Sequence, residues 1–234
     1  MIIFKSINRL NKEVNFKANI GFVPTMGALH KGHFSLIKSS KKKCKKTLVS
    51  IFVNPSQFNK KNDYKNYPRN LKRDIKILKI LKVDYLLIPK INEIYKNKKN
   101  MKIKLNKKDK ILCVKYRPGH FEGVLAIINQ FLINIKAKFM FLGEKDYQQI
   151  HLLKKFIKSK FKTKIICCKT VRLNNSLAYS SRNFLLSKNE IQKASLISNS
   201  VRNFYLSIKK NFRNKNNINE IKKNIESKRI KVDY

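Results

Sequence analysis

The chain has 234 residues, enough for one large domain or one domain with a small appendage, and enough to bury a sizeable core. Its 55 lysines and arginines against 13 acidic residues leave a formal net charge of +42, which at face value suits nucleic acid, an anionic membrane or an acidic ligand. The excess is mostly lysine, spread along the whole chain among asparagines and isoleucines, so most of it reads as solvated surface and nucleic acid is not the expected partner.

The N-terminal stretch MIIFKSINRLNKEV has too short an apolar run for a signal peptide. Residues 20–23 read as a buried strand, 34–43 as a helix, 47–53 as a strand, 71–81 as a helix, and 83–88 as a strand stopped by Pro89. The lysine-rich region 90–110 is expected to be an excursion over the surface. A long helix near 124–135, a strand at 139–142, a helix at 147–159 and a strand at 164–171 resume the pattern. Ser187 and Glu190 have capping-box spacing and open a helix through 205, and after the asparagine-rich 211–217 a last helical stretch covers 219–227. Strands alternating with helices argue for an α/β fold, a Rossmann-like parallel sheet flanked by helices.

Nothing approaches the ~18 consecutive apolar residues of a membrane span. Cys44, Cys113, Cys167 and Cys168 form no CxxC pair and no spaced framework, which argues against a zinc site or a disulfide scaffold and suits a reducing cytoplasm.

The stretch FVPTMGALHKGHFSLI at 22–37 runs strand, turn, helix, and puts two of the four histidines, His30 and His33, at a helix start. Free backbone N–H groups and the helix dipole favour an anion there. Imidazole donors at the same end could hold phosphate oxygens and the charge that develops as pyrophosphate leaves. A bare HxGH is equally a pair of polar residues around a helix start, and a zinc pair lacks a third ligand at a supporting spacing. After the first strand of a parallel domain, however, HxGH is similar to the signature of adenylyl-transferring enzymes.

Four further segments narrow the resemblance: VNPSQF at 53–58, YRPGHFEGV at 116–124, FLGEKDYQQ at 141–149 and YSSRN at 179–183. With VPTMGALHKGH, in this order across residues 20–183, they resemble the pantothenate synthetase (pantoate–β-alanine ligase) family. The resemblance implies ATP-dependent condensation of pantoate with β-alanine through pantoyl adenylate, releasing pyrophosphate and AMP, with Mg²⁺ assisting and a homodimer as the assembly.

Carried over motif by motif, Met26, Gly27, Ala28, Leu29, His30, Lys31, Gly32 and His33 would line the ATP site, with His33 assigned as proton donor and His30 as its phosphate-binding companion. Gln57 and Gln149 would grip pantoate, Gln57 also facing β-alanine. Gly143, Glu144, Lys145 and Asp146 match a nucleotide loop in which the lysine reaches phosphate and the aspartate the ribose side. Val171 would pack at the adenine, and Tyr179, Ser180, Ser181 and Arg182 match a second phosphate clamp. Catalytic work would fall to His30, His33, Lys145, Ser180, Ser181 and Arg182; metal ligands are unassigned. Arg117 and His120 lie in a matching motif where bracing of a loop is the alternative to a substrate role, and His151 reads as a surface helix residue.

Two departures stand out. The family places aspartate and glycine where this chain has Asn175 and Ser176, which puts the turn geometry there in question. The family also runs on past the point matching KVDY, so residues 1–171 are expected to form the catalytic domain and 172–234 an incomplete C-terminal lid domain. The rival readings are another HxGH adenylyl transferase, which the match of NPSQF and GEKDYQQ to the pantoate site opposes, and a decayed enzyme scaffold that binds nucleic acid through its basic surface.

Overall fold

The apolar runs become β1 (Ile2–Phe4), β2 (Ile20–Thr25), β3 (Lys46–Ile51), β4 (Tyr85–Leu87), β5 (Phe139–Gly143) and β6 (Lys164–Cys168). They pair in parallel as one six-stranded sheet in the order β1-β4-β3-β2-β5-β6. The register sets Gly21 of β2 beside Thr47 of β3 on one side and Phe139 of β5 on the other. This is a computed structural model describing residues 1–96, 101–210, 217–227, 230 and 232. It divides into two compact units, Met1–Thr170 and Val171–Tyr234.

In the first unit the connections are α1 (Ile7–Glu13), α2 (Lys31–Lys43), α3 (Lys61–Asn66), α4 (Leu71–Ile80), α5 (Ile91–Ile94), α6 (Cys113–Tyr116), α7 (His120–Asn134) and α8 (Tyr147–Lys158). Alternate residues of the central strands enter two different apolar layers. Phe22, Leu48, Met140 and Leu142 pack with α1, α7 and α8, whereas Val23, Val49 and Phe141 pack with α2 and α4. Burial on both faces explains why these strands read as near-continuous apolar runs. It also confirms the α/β fold with helices on both sides of a parallel sheet.

Boundaries shifted where local chemistry overrode periodicity. The helix read at 34–43 begins at Lys31 because the His30 side chain caps it. The first strand extends to Thr25, and the last ends at Cys168 rather than 171. Residues 1–14, given no element by the sequence reading, form β1 and α1. There Ser6 caps the helix, and the Glu93 carboxylate accepts from both Ser6 Oγ (3.0 Å) and the Ile7 amide (2.6 Å). Part of the lysine-rich excursion and of the asparagine-rich loop, residues 97–100 and 211–216, lies outside the described residues.

The second unit carries a turn closed by an antiparallel bridge between Arg172 and Ala178, then a 3₁₀ turn at Ser181–Leu185. The long α9 (Lys188–Lys210) packs with α10 (Asn217–Glu226). The capping box at the start of α9 forms as its spacing required: Glu190 accepts from the Ser187 amide and hydroxyl at 2.8 Å each, and the Glu190 amide donates back to Ser187 Oγ at 3.3 Å. All four cysteines are free. Among the described residues no helix is long and apolar enough to cross a membrane.

Candidate active site

From β2 the chain lays β3 and β4 on one side of the sheet, and later β5 and β6 on the other. The strand order therefore reverses between β2 and β5, and in open parallel sheets the ligand crevice lies beyond the carboxyl ends of the strands at such a point. The sequence places its candidate residues on these ends. Met26–His33 leaves β2, Asn54–Gln57 leaves β3 and Gly143–Asp146 leaves β5.

The turn from β2 into α2 is backbone of an unusual kind: Gly27 has φ +77° and Ala28 φ +49°. Glycine accepts this conformation freely and alanine does not, so the turn needs holding. Thr25 Oγ1 accepts from the Gly27 amide at 3.2 Å. The two carboxylate oxygens of Asp74, on α4, accept from the Ala28 and Leu29 amides at 2.8 Å each. Burial pushes the Asp74 carboxyl above the ordinary range, and the two amides pull it back down.

His30 then caps α2, its Nδ1 accepting from the Gly32 amide at 3.1 Å, while His33 Nδ1 accepts from the His30 amide at 3.4 Å. An imidazole nitrogen that accepts cannot carry the ring proton, so both rings are Nε2–H tautomers. The rings stack, centroids 4.0 Å apart and inclined at 33°. Burial, then Lys145, lowers the His30 pKa to about 4, and burial, then His30 itself, holds His33 well below the usual imidazole range. Both are neutral hydrogen-bond donors at pH 7. Lys145 acts electrostatically on both histidines, and Asp146 and Arg73 on His30. Lys145 itself pairs with Asp146 at 3.0 Å on the loop after β5.

Gln57 sits at the end of a turn whose two ends, Asn54 and Gln57, are buried. Asn54, 1% exposed, donates to Gln57 Oε1 and to the Gly123 carbonyl, both at 3.1 Å. Its Oδ1 accepts from Tyr95 (2.5 Å) and Ser56 (3.1 Å). Gln57 Nε2 lies 2.8 Å from the sulfur of Met26, which joins this turn to the one leaving β2. His120 Nδ1 is 2.5 Å from the Gln57 carbonyl and 3.0 Å from Arg117 Nη2. A guanidinium only donates, so one nitrogen cannot satisfy both. We assign Nδ1–H to the shorter carbonyl contact, which makes His120 a brace for the turn. Against this turn α7 presents Gly123, where a Cβ would stand 2.5 Å from the Ser56 carbonyl oxygen.

Gln149 lies in the first turn of α8, half-buried, and His151 faces solvent from the same helix, as expected. In the second unit, Tyr179 donates its amide to the Val171 carbonyl at 3.0 Å. Ser180 Oγ accepts from the Arg182 amide at 3.3 Å, and Ser181 is buried. The departure from the family there has a definite outcome: Ser176 takes φ +72°, keeping the left-handed turn that a glycine would favour. Asn175 Oδ1 accepts from the Leu177 amide at 3.2 Å and Arg172 donates to the Ser176 carbonyl at 2.9 Å, which holds the turn shut.

Three residues that shape the site escaped the sequence reading as candidates: Asn54, Asp74 and Gly123. Asn54 stood inside a quoted motif, but nothing in NLKRDIKIL marks Asp74 as other than a helix-surface acid. Among the described residues no group of three or more His, Cys, Asp or Glu could hold a metal ion.

The chain matches the family model described as pantoate-beta-alanine ligase over residues 2–234. It is 46% identical over 202 residues to the pantothenate synthetase of Francisella philomiragia, covering 84% of this chain and 77% of the relative. To that of Pseudothermotoga lettingae it is 38% identical across the whole of this chain and 85% of the relative. Its fold superposes with a TM-score of 0.88 on the Francisella tularensis pantoate-beta-alanine ligase solved with beta-gamma ATP and beta-alanine, at 40% identity, covering 97% of this chain and 86% of that one. The Thermus thermophilus pantothenate synthetase follows with a TM-score of 0.81 at 32% identity, over 86% of this chain and 73% of that one.

Proposed function

We infer that the crevice at the β2/β5 switch point is where ATP and pantoate react, since this chain belongs to the pantoate–β-alanine ligase family. The reaction has two steps. A pantoate carboxylate oxygen attacks the α-phosphorus of ATP, the bond to the β-phosphate oxygen breaks, and pyrophosphate leaves. The neutral amine of β-alanine then attacks the acyl carbon, AMP leaves and the amine gives up a proton.

The observation that carries this reading is the pair of Nε2–H imidazoles at the start of α2, with Lys145 beside them. Two neutral donors and one cation, fixed before substrate arrives, hold phosphate oxygens without reorganising as charge moves to the leaving pyrophosphate. Being neutral, His30 and His33 act by donating hydrogen bonds rather than by delivering a proton as imidazolium. The rest of Met26–His33 and Gly143–Asp146 form the walls of the nucleotide site, with Asp146 toward the ribose. Gln57 and Gln149 present paired amide donors and acceptors, which suit a hydroxy acid. By the family resemblance, Tyr179, Ser180, Ser181 and Arg182 of the second unit would hold phosphate and Val171 would contact the adenine. Arginine there opposes a rising phosphate charge with a forked cation.

Mg²⁺ would enter on the ATP phosphates, whose charge it neutralises. The protein offers no acid–imidazole cage for it among the described residues, and no step above depends on one. The reading places the enzyme in the cytoplasm as a homodimer. Its test is release of AMP and pyrophosphate from pantoate, ATP and Mg²⁺, with and without β-alanine. Pyrophosphate release that needs pantoate, and pantothenate formation that needs β-alanine, support it. ATP turnover indifferent to pantoate would overturn it.

A further inference from the structure

The chain has 13 acidic residues against 55 basic ones, and among the described residues Asp74 is the only acidic residue buried as a whole, 1% exposed. A buried ionised carboxylate costs free energy unless its oxygens are satisfied. Both oxygens of Asp74 are spent on two consecutive amides, Ala28 and Leu29, across 46 and 45 residues of chain. These amides belong to a turn in which two neighbouring residues, Gly27 and Ala28, both have positive φ, alone among the described residues. The fit is close as well: a Cβ at Gly27 would lie 3.1 Å from Asp74 Oδ2 and from Ile51 Cγ2.

We propose that Asp74 is a positioning residue for adenylation, holding the Gly27–Leu29 turn so that His30 and His33 present Nε2–H to the phosphates. The effect is carried by the backbone. With the turn clamped, the His30 amide points at His33 Nδ1 and the Gly32 amide at His30 Nδ1, and those two bonds select the tautomer. With the clamp gone, Ala28 relaxes toward negative φ, the entry into α2 swings, and the rings are free to exchange tautomers. The Gln57 turn touches this one only through Met26, and its ties to Asn54, Gly123 and His120 do not involve Asp74. This role rests on the ligase reading for its link to phosphate, but not for its link to the imidazoles.

The test is Asp74→Asn in the full chain, which keeps shape but replaces one acceptor by an NH₂ group that cannot accept. Nitrogen NMR of the imidazoles should change from a single Nε2–H form in the parent to a mixture of tautomers at His30 and His33. Pantoyl adenylate formation should fall at least ~10-fold, while the pantoate KM stays within about 3-fold, as expected for misaimed donors rather than a lost substrate pocket. A folded variant with unchanged tautomers and an unchanged rate overturns the proposal. Should the variant fail to fold, amide hydrogen exchange in the parent decides: the Ala28 and Leu29 amides must be strongly protected, and exchange at the rate of an open loop overturns it. If the parent makes no pantoyl adenylate, the ligase reading fails, while the imidazole spectra still judge Asp74.

Discussion

Gly123→Ala should cripple pantoate use while leaving nucleotide binding largely alone. The added methyl would stand 2.5 Å from the Ser56 carbonyl oxygen, 2.7 Å from its carbon and 2.9 Å from the Gln57 amide nitrogen, where ordinary contact begins at about 3.4 Å. All three are backbone atoms and α7 is packed on nearly every side, so the Asn54–Gln57 turn must retreat by roughly an ångström. That retreat strains the bonds from Asn54 to the Gly123 carbonyl and from His120 to the Gln57 carbonyl. Overpacking costs ~1–3 kcal/mol and a weakened buried hydrogen bond ~1 kcal/mol, so a stability loss of about 2–3 kcal/mol is expected. In a domain of this size that lowers the melting midpoint by roughly 5–10 °C, leaving it folded at 25 °C. A displacement of ~1 Å at a substrate-gripping group costs on the order of 100-fold in rate. Pyrophosphate release measured against pantoate at saturating ATP should therefore show kcat/KM down ~100-fold, with the ATP KM within about 3-fold. A folded Gly123→Ala protein with normal pantoate kinetics would refute the seating of the turn on α7. An equal loss for both substrates would refute the separation of the two subsites.

His33→Ala should lower single-turnover pantoyl adenylate formation at least ~100-fold, with the fold retained because the ring caps a helix end rather than filling the core; an unchanged rate would remove His33 from the reaction. Because the His30 pKa is lowered to about 4 and that of His33 well below the usual imidazole range, adenylation should show no inflection near pH 6.5 from this pair, and an acid limb there that disappears in His30→Asn would contradict the neutral-donor assignment. The same shift fixes a stability trend. Between 6.5 and about 4 the unfolded chain takes up protons that the native rings refuse, so stability is full above 6.5 and declines as pH falls through that window, which urea midpoints at pH 7.5 and 5 would register. Ser176→Gly should raise stability by ~0.5–1 kcal/mol by relieving φ +72°, and a loss instead would mean that the serine hydroxyl holds the turn.

Periodicity located the central strands and long helices because burial on both faces of the sheet writes itself as apolar runs, and the Ser187–Glu190 box marked the start of α9. It passed over β1 and α1, whose short runs acquire meaning only when β4 and Glu93 arrive from far along the chain. At the candidate site, the residues proposed to face a ligand came in recognisable strings: HKGH, NPSQF, GEKDYQQ. Those that hold the strings in place did not. Asp74 acts on Ala28 and Leu29 from another helix, and Gly123 matters through the atom it lacks. Such roles follow from tertiary approach, which no local pattern encodes.

The strand order also governs when this enzyme becomes one. β2 meets β3 by closing a short stretch, pairing Gly21 with Thr47, and β4 and β1 need only the first 87 residues to join them. Its other neighbour, β5, enters through the pairing of Gly21 with Phe139, a far longer closure that must wait for α7 to be made and laid across the sheet. A nascent chain leaving the ribosome thus carries its histidine pair well before the opposite wall of the crevice exists. Half a sheet can gather early, yet at the proposed site ATP would have nothing to be gripped between until β5 slots in beside β2. Nucleotide binding at the proposed site would, on this topology, be a certificate that the first unit has finished folding.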